Sequence, residues 1–230
     1  MDVDHTEYRE LMRRIREVPG VKKVFIRSGI RFDYLMADKD DSFFWDLCKH
    51  HISGTLKVAP EHVSAPVLAH MRKPEIGVFE AFSRKYKQIN EKLGLKQYLI
   101  PYLISSHPGS TLEDAIEMAV FLKDNHFIPD QVQDFYPTPG TLSTCIYYTE
   151  HDPFTGAPVH VAKDMEEKKM QRALIHFHKP ENRDTVMRAL HKAGRADLVP
   201  VLLGRGGHGK GQNSNKRGRS TNQNRTRRKK

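Results

Sequence analysis

A carboxylate and an imidazole stand side by side at Glu61 and His62, shortly after an apolar run at residues 54–58. At the end of a strand, such a pair can bind the two hydroxyls of a ribose, or it can act as acid and base. The alternative is a solvated carboxylate in a loop that caps the next helix. These two residues alone leave both interpretations open.

A second polar group, Ser105, Ser106 and His107, ends the apolar run 97–105. A turn at Gly109 follows, directly before a predicted helix. The amino terminus of a helix presents unpaired backbone N–H groups and the positive end of the helix dipole, which favour a polar or anionic ligand. The alternative is an ordinary capped turn between a strand and a helix.

A third group consists of Gln133, Asp134, Phe135 and Tyr136, which lead into the turn Pro-Thr-Pro-Gly-Thr at residues 137–141. Two prolines make the backbone stiff, so ligand binding has little ordering left to impose. The aromatic side chains offer flat surfaces suited to packing on a purine ring. The alternative is a rigid structural exit from the strand.

The elements that must position these groups alternate between strand and helix. Four apolar, β-branched runs predict strands at residues 21–28, 54–58, 97–105 and 130–136. Apolar spacing of three and four predicts helices at 4–18, 39–51, 64–70 and 76–93, and a capping box of Ser110 and Glu113 opens another. In such α/β folds the parallel strands end at one edge of the sheet, so the polar groups are expected to share a pocket there.

The pattern changes after residue 141. Residues 144–149 are predicted as a short strand or an extended connection, and helices are predicted at 165–177, 183–193 and 196–203. We therefore divide the chain into an α/β domain at residues 1–146, a helical region at 147–203 and a tail at 204–230.

The composition is that of an ordinary soluble α/β protein, with 38% hydrophobic residues in 230. No apolar run approaches the roughly 18 residues of a membrane span, and the amino terminus lacks the order of a secretory signal. We expect a cytoplasmic protein without a membrane partner. Cys48 and Cys145 are the only cysteines, so no disulfide framework is expected, and two thiolates alone cannot hold an iron–sulfur cluster or a structural zinc.

The net charge of +10 resides entirely in the tail. Residues 204–230 contain ten Lys or Arg and no acid, and the rest of the chain has equal numbers of basic and acidic residues. The tail has no aliphatic or aromatic side chain to bury, so it is predicted to be disordered. Such a segment binds nucleic acid weakly and without sequence preference, with a strong dependence on salt. The alternative is a solubilising extension.

Four segments, read in order, resemble a known family: RSGIRFDYL, LKVAPEHVSAPVLAHMRKP, YLISSHPGSTLEDA and VQDFYPTPGTLST. They resemble the carboxyl-terminal part of a radical S-adenosylmethionine (SAM) protein and, more narrowly, the YgiQ family, over essentially the whole chain. The resemblance implies a partial (β/α) barrel made of the last four βα units. It also implies a small helical region and a basic, Gly-rich tail.

In that family the first barrel strand is followed by a CxxxCxxC loop that holds a [4Fe–4S] cluster, and the cluster binds S-adenosylmethionine. By position, the resemblance assigns the adenosyl-binding wall to nine residues. These are Glu61 facing the ribose; Ser105, Ser106 and His107 on the adenosyl side; Phe135, Tyr136 and Pro137 flanking the adenine; and Arg27 and Ser28 closing the rim.

The chain departs from the family because it contains no CxxxCxxC. We therefore expect no radical chemistry from this chain alone, and a separately encoded amino-terminal half as a possible partner. A partial barrel exposes an unpaired strand edge and an apolar lumen, which predicts marginal solubility or association. The competing prediction is a non-catalytic RNA- or ribosome-associated protein that acts through its tail. Neither interpretation identifies a substrate.

Overall fold

The computed structural model describes residues 3–129 and 132–204. The first two residues of the strand predicted at 130–136 lie outside the described residues. So does the tail from residue 205 onward, and its predicted disorder and nucleic-acid binding stay predictions. None of the described helices is long and apolar enough to cross a membrane.

The described residues form a mixed α/β fold around three parallel strands in the order β1-β2-β3. The strands are β1 (Thr55–Glu61), β2 (Tyr98–Ser105) and β3 (Val132–Asp134). Leu56 pairs with Leu99, and Ser105 pairs with Asp134. The prediction of parallel strands is confirmed for these three, so their carboxyl ends share one edge of the sheet.

The prediction of a strand at residues 21–28 is wrong: this segment has no regular secondary structure and joins no ladder among the described residues. Its backbone N–H at Ile26 donates instead to the carbonyl of His51, at 2.9 Å. The His51 ring in turn donates from Nδ1 to the carbonyl of Val24, at 2.8 Å. Because these bonds go to a residue before β1, β1 stays an edge strand, and the described part of the chain shows no barrel.

Five helices precede or separate the first two strands: α1 (Thr6–Glu17), α2 (Phe32–Ala37), α3 (Ser42–Asp46), α4 (Ala65–His70) and α5 (Ile76–Leu93). A π-helical turn, Leu47–His51, continues α3. The predicted bounds of α5 are confirmed. This helix ends because Gly94 adopts a left-handed conformation, with φ of 64°.

Helix α6 (Leu112–Asp124) begins one residue later than predicted. Its capping box consists of Thr111 and Asp114, which bond to each other's backbone N–H groups, and not of Ser110 and Glu113. Ser110 is unavailable as a cap because its hydroxyl donates to Oε1 of Gln171, at 2.9 Å. A long-range hydrogen bond thus shifts the local cap by one position.

Four further helices complete the described chain: α7 (Leu142–Thr149), α8 (Met165–Ile175), α9 (Arg183–Lys192) and α10 (Val199–Leu203). Short 3₁₀ turns, Pro180–Asn182 and Ala196–Leu198, precede α9 and α10. The prediction of a strand or extended connection at 144–149 is wrong. The Thr141 hydroxyl accepts from the N–H of Thr144 and starts a helix there.

Two apolar clusters hold these elements together. The first joins α6, β2 and β3 to α8, α9 and α10. The second joins α2, α3, β1 and α5 and is rich in aromatic side chains. Ile76, Phe121 and Phe127 pack against both clusters. The helices after residue 147 therefore share a core with α6, and the division into domains at 146 stays a prediction.

Candidate functional site

The carboxyl ends of the three strands meet around a cavity of about 220 Å³, which we call the strand-end cavity. The β2–β3 pairing continues one step beyond Asp134, because the N–H of Phe135 donates to the carbonyl of Ser105, at 2.8 Å. Four of the nine predicted residues line this cavity: Glu61, His107, Phe135 and Tyr136.

Glu61 lies at an irregularity in β1. The β1–β2 register shifts between Val58 and Glu61, and Glu61 has a left-handed backbone with φ of 68°. The Lys73 ammonium lies 3.1 Å from the Glu61 carboxylate and also donates to the carbonyl of Ala59. Bulges re-aim side chains and are over-represented next to active sites. This bulge presents a hydrogen-bond acceptor to the cavity.

Ser105 and Ser106 lie beneath the cavity wall, not on its surface. Both are buried, with their hydroxyl oxygens 3.2 Å apart. Ser106 also has a left-handed backbone, with φ of 57°. Such conformations are costly for residues other than glycine and cluster at functional sites. Direct contact of these two hydroxyls with a ligand stays a prediction.

The turn that follows β2 is tightly packed. Gly109 has φ of 90°, and a Cβ there would approach Cδ2 of His70 to 2.4 Å. Its N–H donates to the carbonyl of His160, at 2.7 Å. A side chain at this position would displace the His70 ring, and the positive φ strains any residue other than glycine, so glycine is favoured here by both backbone conformation and space.

His107 is buried, and both of its ring nitrogens have partners in the protein. Nδ1 lies 2.7 Å from the carbonyl of Pro108, which only accepts, so Nδ1 carries the proton and Nε2 accepts from the Ser143 hydroxyl, at 2.7 Å. Burial lowers the pKa of His107 to about 4, although the Pro108 carbonyl acts in the opposite direction. His107 is therefore neutral at physiological pH and shapes the wall.

Phe135 forms the apolar side of the cavity. The Phe135 and His107 rings meet edge to face, with their centroids 5.1 Å apart. The Tyr147 ring packs against Phe135, with its centroid 5.5 Å away. Tyr136 also lines the cavity but is 78% exposed, and Pro137 is half-buried beside it. The aromatic surface predicted after the last strand is thus held in place at Phe135.

The turn after Pro137 is braced by its own hydroxyls. The Thr138 carbonyl accepts from the hydroxyls of Thr141 and Thr144, at 2.9 and 2.7 Å. This bracing fixes the start of α7 and therefore the position of Ser143 against His107. The turn is a rigid link between β3 and the cavity wall.

Arg27 and Ser28 lie elsewhere. Arg27 lines a separate cavity of about 420 Å³ with Arg31, Lys57 and Tyr102, and Ser28 is exposed and lines neither cavity. The structure does not bring these two residues together with the strand-end cavity. Their assignment to an adenosyl site stays a prediction.

Seven residues that the sequence analysis did not assign to the site also line the strand-end cavity, namely Met71, Ile104, Gln133, Asp134, Thr138, Thr141 and Ser143. Ser143 was missed because the segment after Thr141 was not recognised as a helix. Its signal was Thr141 followed three residues later by Thr144, a spacing that fits an N-cap.

His62 does not accompany Glu61 into the cavity. It is fully buried, and its Nδ1 accepts from the N–H of Ser64, at 3.1 Å. Its Nε2 faces the Ser110 hydroxyl at 3.4 Å, and that hydroxyl donates to Gln171. Burial lowers the pKa of His62 to about 4, against the opposing effect of Asp114. Because a fully buried imidazole does not reach a ligand, an acid–base pair of Glu61 and His62 is not supported.

Gln171 closes this buried network, which links the residues after β1 and the turn before α6 to α8. Its amide accepts from the Ser110 hydroxyl and donates to the Ser110 carbonyl, both at 2.9 Å. We expect Gln171→Leu to lower the free energy of unfolding by about 1–3 kcal/mol, because buried groups of Ser110 lose their partner. Urea denaturation measures this change. Gln88→Leu, at an exposed position of α5, is the matched control and should change stability little; equal effects of the two changes would contradict the role of the network.

The cysteines do not fit an iron–sulfur cluster. Cys48 is buried, and burial raises the pKa of its thiol to about 12, so it is protonated. Cys145 is exposed on α7. Among residues 3–129 and 132–204, no group of three His, Cys, Asp or Glu side chains is placed to hold a metal. No chemical step of such a cluster is therefore assigned to this chain.

Comparison with known proteins finds close relatives. A "UPF0313 protein" of Clostridium perfringens (strain SM101) is 56% identical over 218 residues, which are 93% of this chain and 33% of the relative. A "UPF0313 protein" of Clostridium botulinum (strain Okra) is 58% identical over 197 residues, which are 86% of this chain and 31% of the relative. The chain spans about a third of the length of these relatives.

A family model described as a domain of unknown function (DUF3362) matches residues 130–230, which include Phe135, Tyr136 and the residues of α7 to α10. Over nearly its whole length the chain is similar to clostridial UPF0313 proteins, and its carboxyl-terminal part matches DUF3362.

Proposed function

We propose that the chain belongs to the YgiQ family of radical SAM proteins and supplies part of the wall that holds the adenosyl group of S-adenosylmethionine. The UPF0313 relatives support the family, because UPF0313 is the YgiQ family. The observation that carries the proposal is the strand-end cavity, where Glu61, His107 and Phe135 meet at the carboxyl ends of parallel strands. Ligands of α/β proteins bind at this end.

The chemistry of the lining suits a nucleoside. The Glu61 carboxylate can accept hydrogen bonds from two ribose hydroxyls, and the Phe135 ring offers a flat surface for the adenine. A cavity of about 220 Å³ is smaller than typical small-molecule pockets of roughly 300–1,000 Å³. This size agrees with a wall that holds one part of a larger ligand.

The cluster would have to come from outside these 230 residues, because the sequence contains no cysteine triad. In the complete assembly, the cluster would supply the electron that cleaves S-adenosylmethionine. We propose that a polypeptide segment with that triad, such as a separately encoded chain, covers the free edge of β1. The two roles are then divided: this chain orients the adenosyl group, and the other segment carries the redox chemistry.

Binding of S-adenosylhomocysteine tests the proposal without the cluster, because the two ligands share the adenosyl group. By isothermal titration, we expect Glu61→Gln to weaken binding about tenfold, the loss expected for a hydrogen bond to a charged group. We expect Phe135→Leu to weaken it by a similar factor, because a flat stacking surface is lost.

Two matched controls make this experiment specific. Glu91→Gln removes an exposed carboxylate from α5, and Phe154→Leu removes a ring that is 72% exposed. Neither residue lines the strand-end cavity, so both variants should bind like the unmodified chain. Absence of binding by the unmodified chain, or equal losses in the controls, would overturn the adenosyl assignment.

A second candidate function rests on a different observation, the concentration of the excess positive charge in the tail. Under this alternative, the chain is a non-catalytic RNA- or ribosome-associated protein. Deleting residues 204–230 should then abolish a salt-sensitive binding to RNA. Unchanged RNA binding after the deletion would exclude the tail as its cause.

A further inference from the structure

A third cavity, of about 400 Å³, lies at the opposite end of the sheet from the strand-end cavity. Ser53 lies just before β1, Gln97 lies just before β2, and both line it. The cavity is therefore at the amino ends of the strands, away from the strand-end cavity. We call it the amino-end cavity. Most of its wall comes from the end of α1, the irregular segment 21–25 and the π-helical turn.

The amino-end cavity is strongly cationic. Its lining includes four cations, Arg16, Lys22, Lys23 and Lys49, together with His50, and no Asp or Glu. The pKa of His50 is lowered, first by burial and then by Arg16 and Lys49, and the carboxylate of Asp46 opposes this only in part. Because no carboxylate lines the cavity, these cations create a local potential that attracts anions.

Arg16 provides an independent observation that points to an anionic ligand. Its Nε is buried and has no hydrogen-bond partner among the described residues. A buried donor on a charged group is costly when it is left unpaired, so such groups are normally satisfied. Because Arg16 lines the cavity, an anionic oxygen bound there is a suitable partner.

Phe25 indicates which kind of anion fits. Its ring lines the cavity, is 40% exposed, and has the Lys23 ammonium 5.9 Å from its centroid. Proteins that bind single strands combine a cationic groove for phosphates with exposed aromatic rings on which bases stack. A bare phosphate would use the cations but not the ring.

We propose that the amino-end cavity binds a single-stranded nucleic acid, with the phosphates held by Arg16, Lys22, Lys23 and Lys49 and one base stacked on Phe25. This site consists of described residues and is separate from the tail. The proposal does not depend on the adenosyl site at the other end of the sheet.

Fluorescence anisotropy with a labelled oligouridylate of about 12 nucleotides, a length within the usual site size, tests this proposal on the full chain. We expect the triple variant Lys22→Ala, Lys23→Ala, Lys49→Ala to raise Kd at least about tenfold. The dependence of log K on log salt should become shallower by about 2, because each lost phosphate contact contributes roughly 0.7 for single strands.

The matched control is Arg84→Ala, Lys87→Ala, Lys169→Ala. It removes the same charge from positions that do not line the amino-end cavity, and it keeps the tail. The three lysines of the cavity variant are exposed, so both variants should melt like the unmodified chain. A glutamine version of each set repeats the comparison with side chains that stay polar. Equal Kd values for the two sets would overturn the proposal.

Phe25→Leu distinguishes a nucleic-acid strand from a simple anion. We expect this variant to weaken oligouridylate binding at least about fivefold, because base stacking on an aromatic ring is lost. Binding of tripolyphosphate, measured by competition, should stay unchanged. If Phe25→Leu binds the oligonucleotide as tightly as the unmodified chain, the site is an anion site only and the proposal fails.

Discussion

Lowering the pH from 6.5 to about 4 is expected to reduce the free energy of unfolding by about 3 kcal/mol for each of His62 and His107. The native state keeps both imidazoles neutral, because burial lowers each pKa to about 4. In the unfolded chain each imidazole titrates near its ordinary value of about 6.5. The combined loss is comparable with the whole stability of an ordinary domain.

The sign follows from proton uptake. Above pH 6.5 both states are neutral, so the two histidines add no pH dependence. As the pH falls below 6.5, the unfolded state binds protons that the native state excludes, and unfolding becomes easier. Below pH 4 the native histidines also bind protons, and their contribution stops changing. The expected slope between these limits is about 1.4 kcal/mol per pH unit for each histidine.

Urea denaturation between pH 5 and 6.5 measures this slope in a range above the ordinary titration of carboxylates. His62→Gln and His107→Gln should each reduce the slope of the unfolding free energy against pH by about 1.4 kcal/mol per pH unit, the contribution of one proton. His191→Gln, at an exposed position of α9, is the matched control. If a variant does not fold, NMR titration of the unmodified chain gives the same information. An imidazole of His62 or His107 that titrates near pH 6.5 in the folded chain would contradict the prediction.

Phe82→Ala is expected to cost about 3–5 kcal/mol, the second largest effect that we predict. Phe82 is fully buried in the aromatic-rich cluster. Its ring stacks on Phe44, at 5.1 Å and 8°, and packs beside Phe32 and Tyr86 at 5.8 and 6.1 Å. Truncation would leave a cavity that several rigid rings cannot fill by small shifts.

The midpoint of urea denaturation measures this loss, and an unchanged m-value would show that the unfolded state is not affected. Phe154→Ala is the matched control, because its ring is 72% exposed and contributes little to the core. Phe82→Leu should lose less than Phe82→Ala because it leaves a smaller void. Equal midpoints for the alanine variants at 82 and 154 would show that the cluster does not stabilise the fold.

Helix α5 and the interior of α6 were predictable because their signals are local. The bounds Ile76–Leu93 follow from the apolar spacing and from Gly94, and both act within a few residues of the chain. The buried stripe of α6 follows from the same periodicity. Strands β1 and β2 were predictable from their apolar runs, and their parallel direction follows from the helices between them.

The candidate site was predictable in part. Glu61, His107, Phe135 and Tyr136 meet in one cavity because parallel strands end at the same edge. The placement of Ser105 beneath the wall, and of His62 in a buried network, depends on strand register and on α8. Neither is visible in a short window of sequence.

By itself, the amino-acid sequence determined the alternation of strands and helices, the polar groups at the strand ends and the location of the excess charge, because these follow from side-chain type and short-range spacing. Only the tertiary structure decided that residues 21–28 join no described ladder, that α6 starts at Thr111's cap and that Ser143 faces His107. It also gathered the cations of the amino-end cavity. Each of these depends on hydrogen bonds or packing between residues distant in the chain, whose free energy competes with local preference and overrides it.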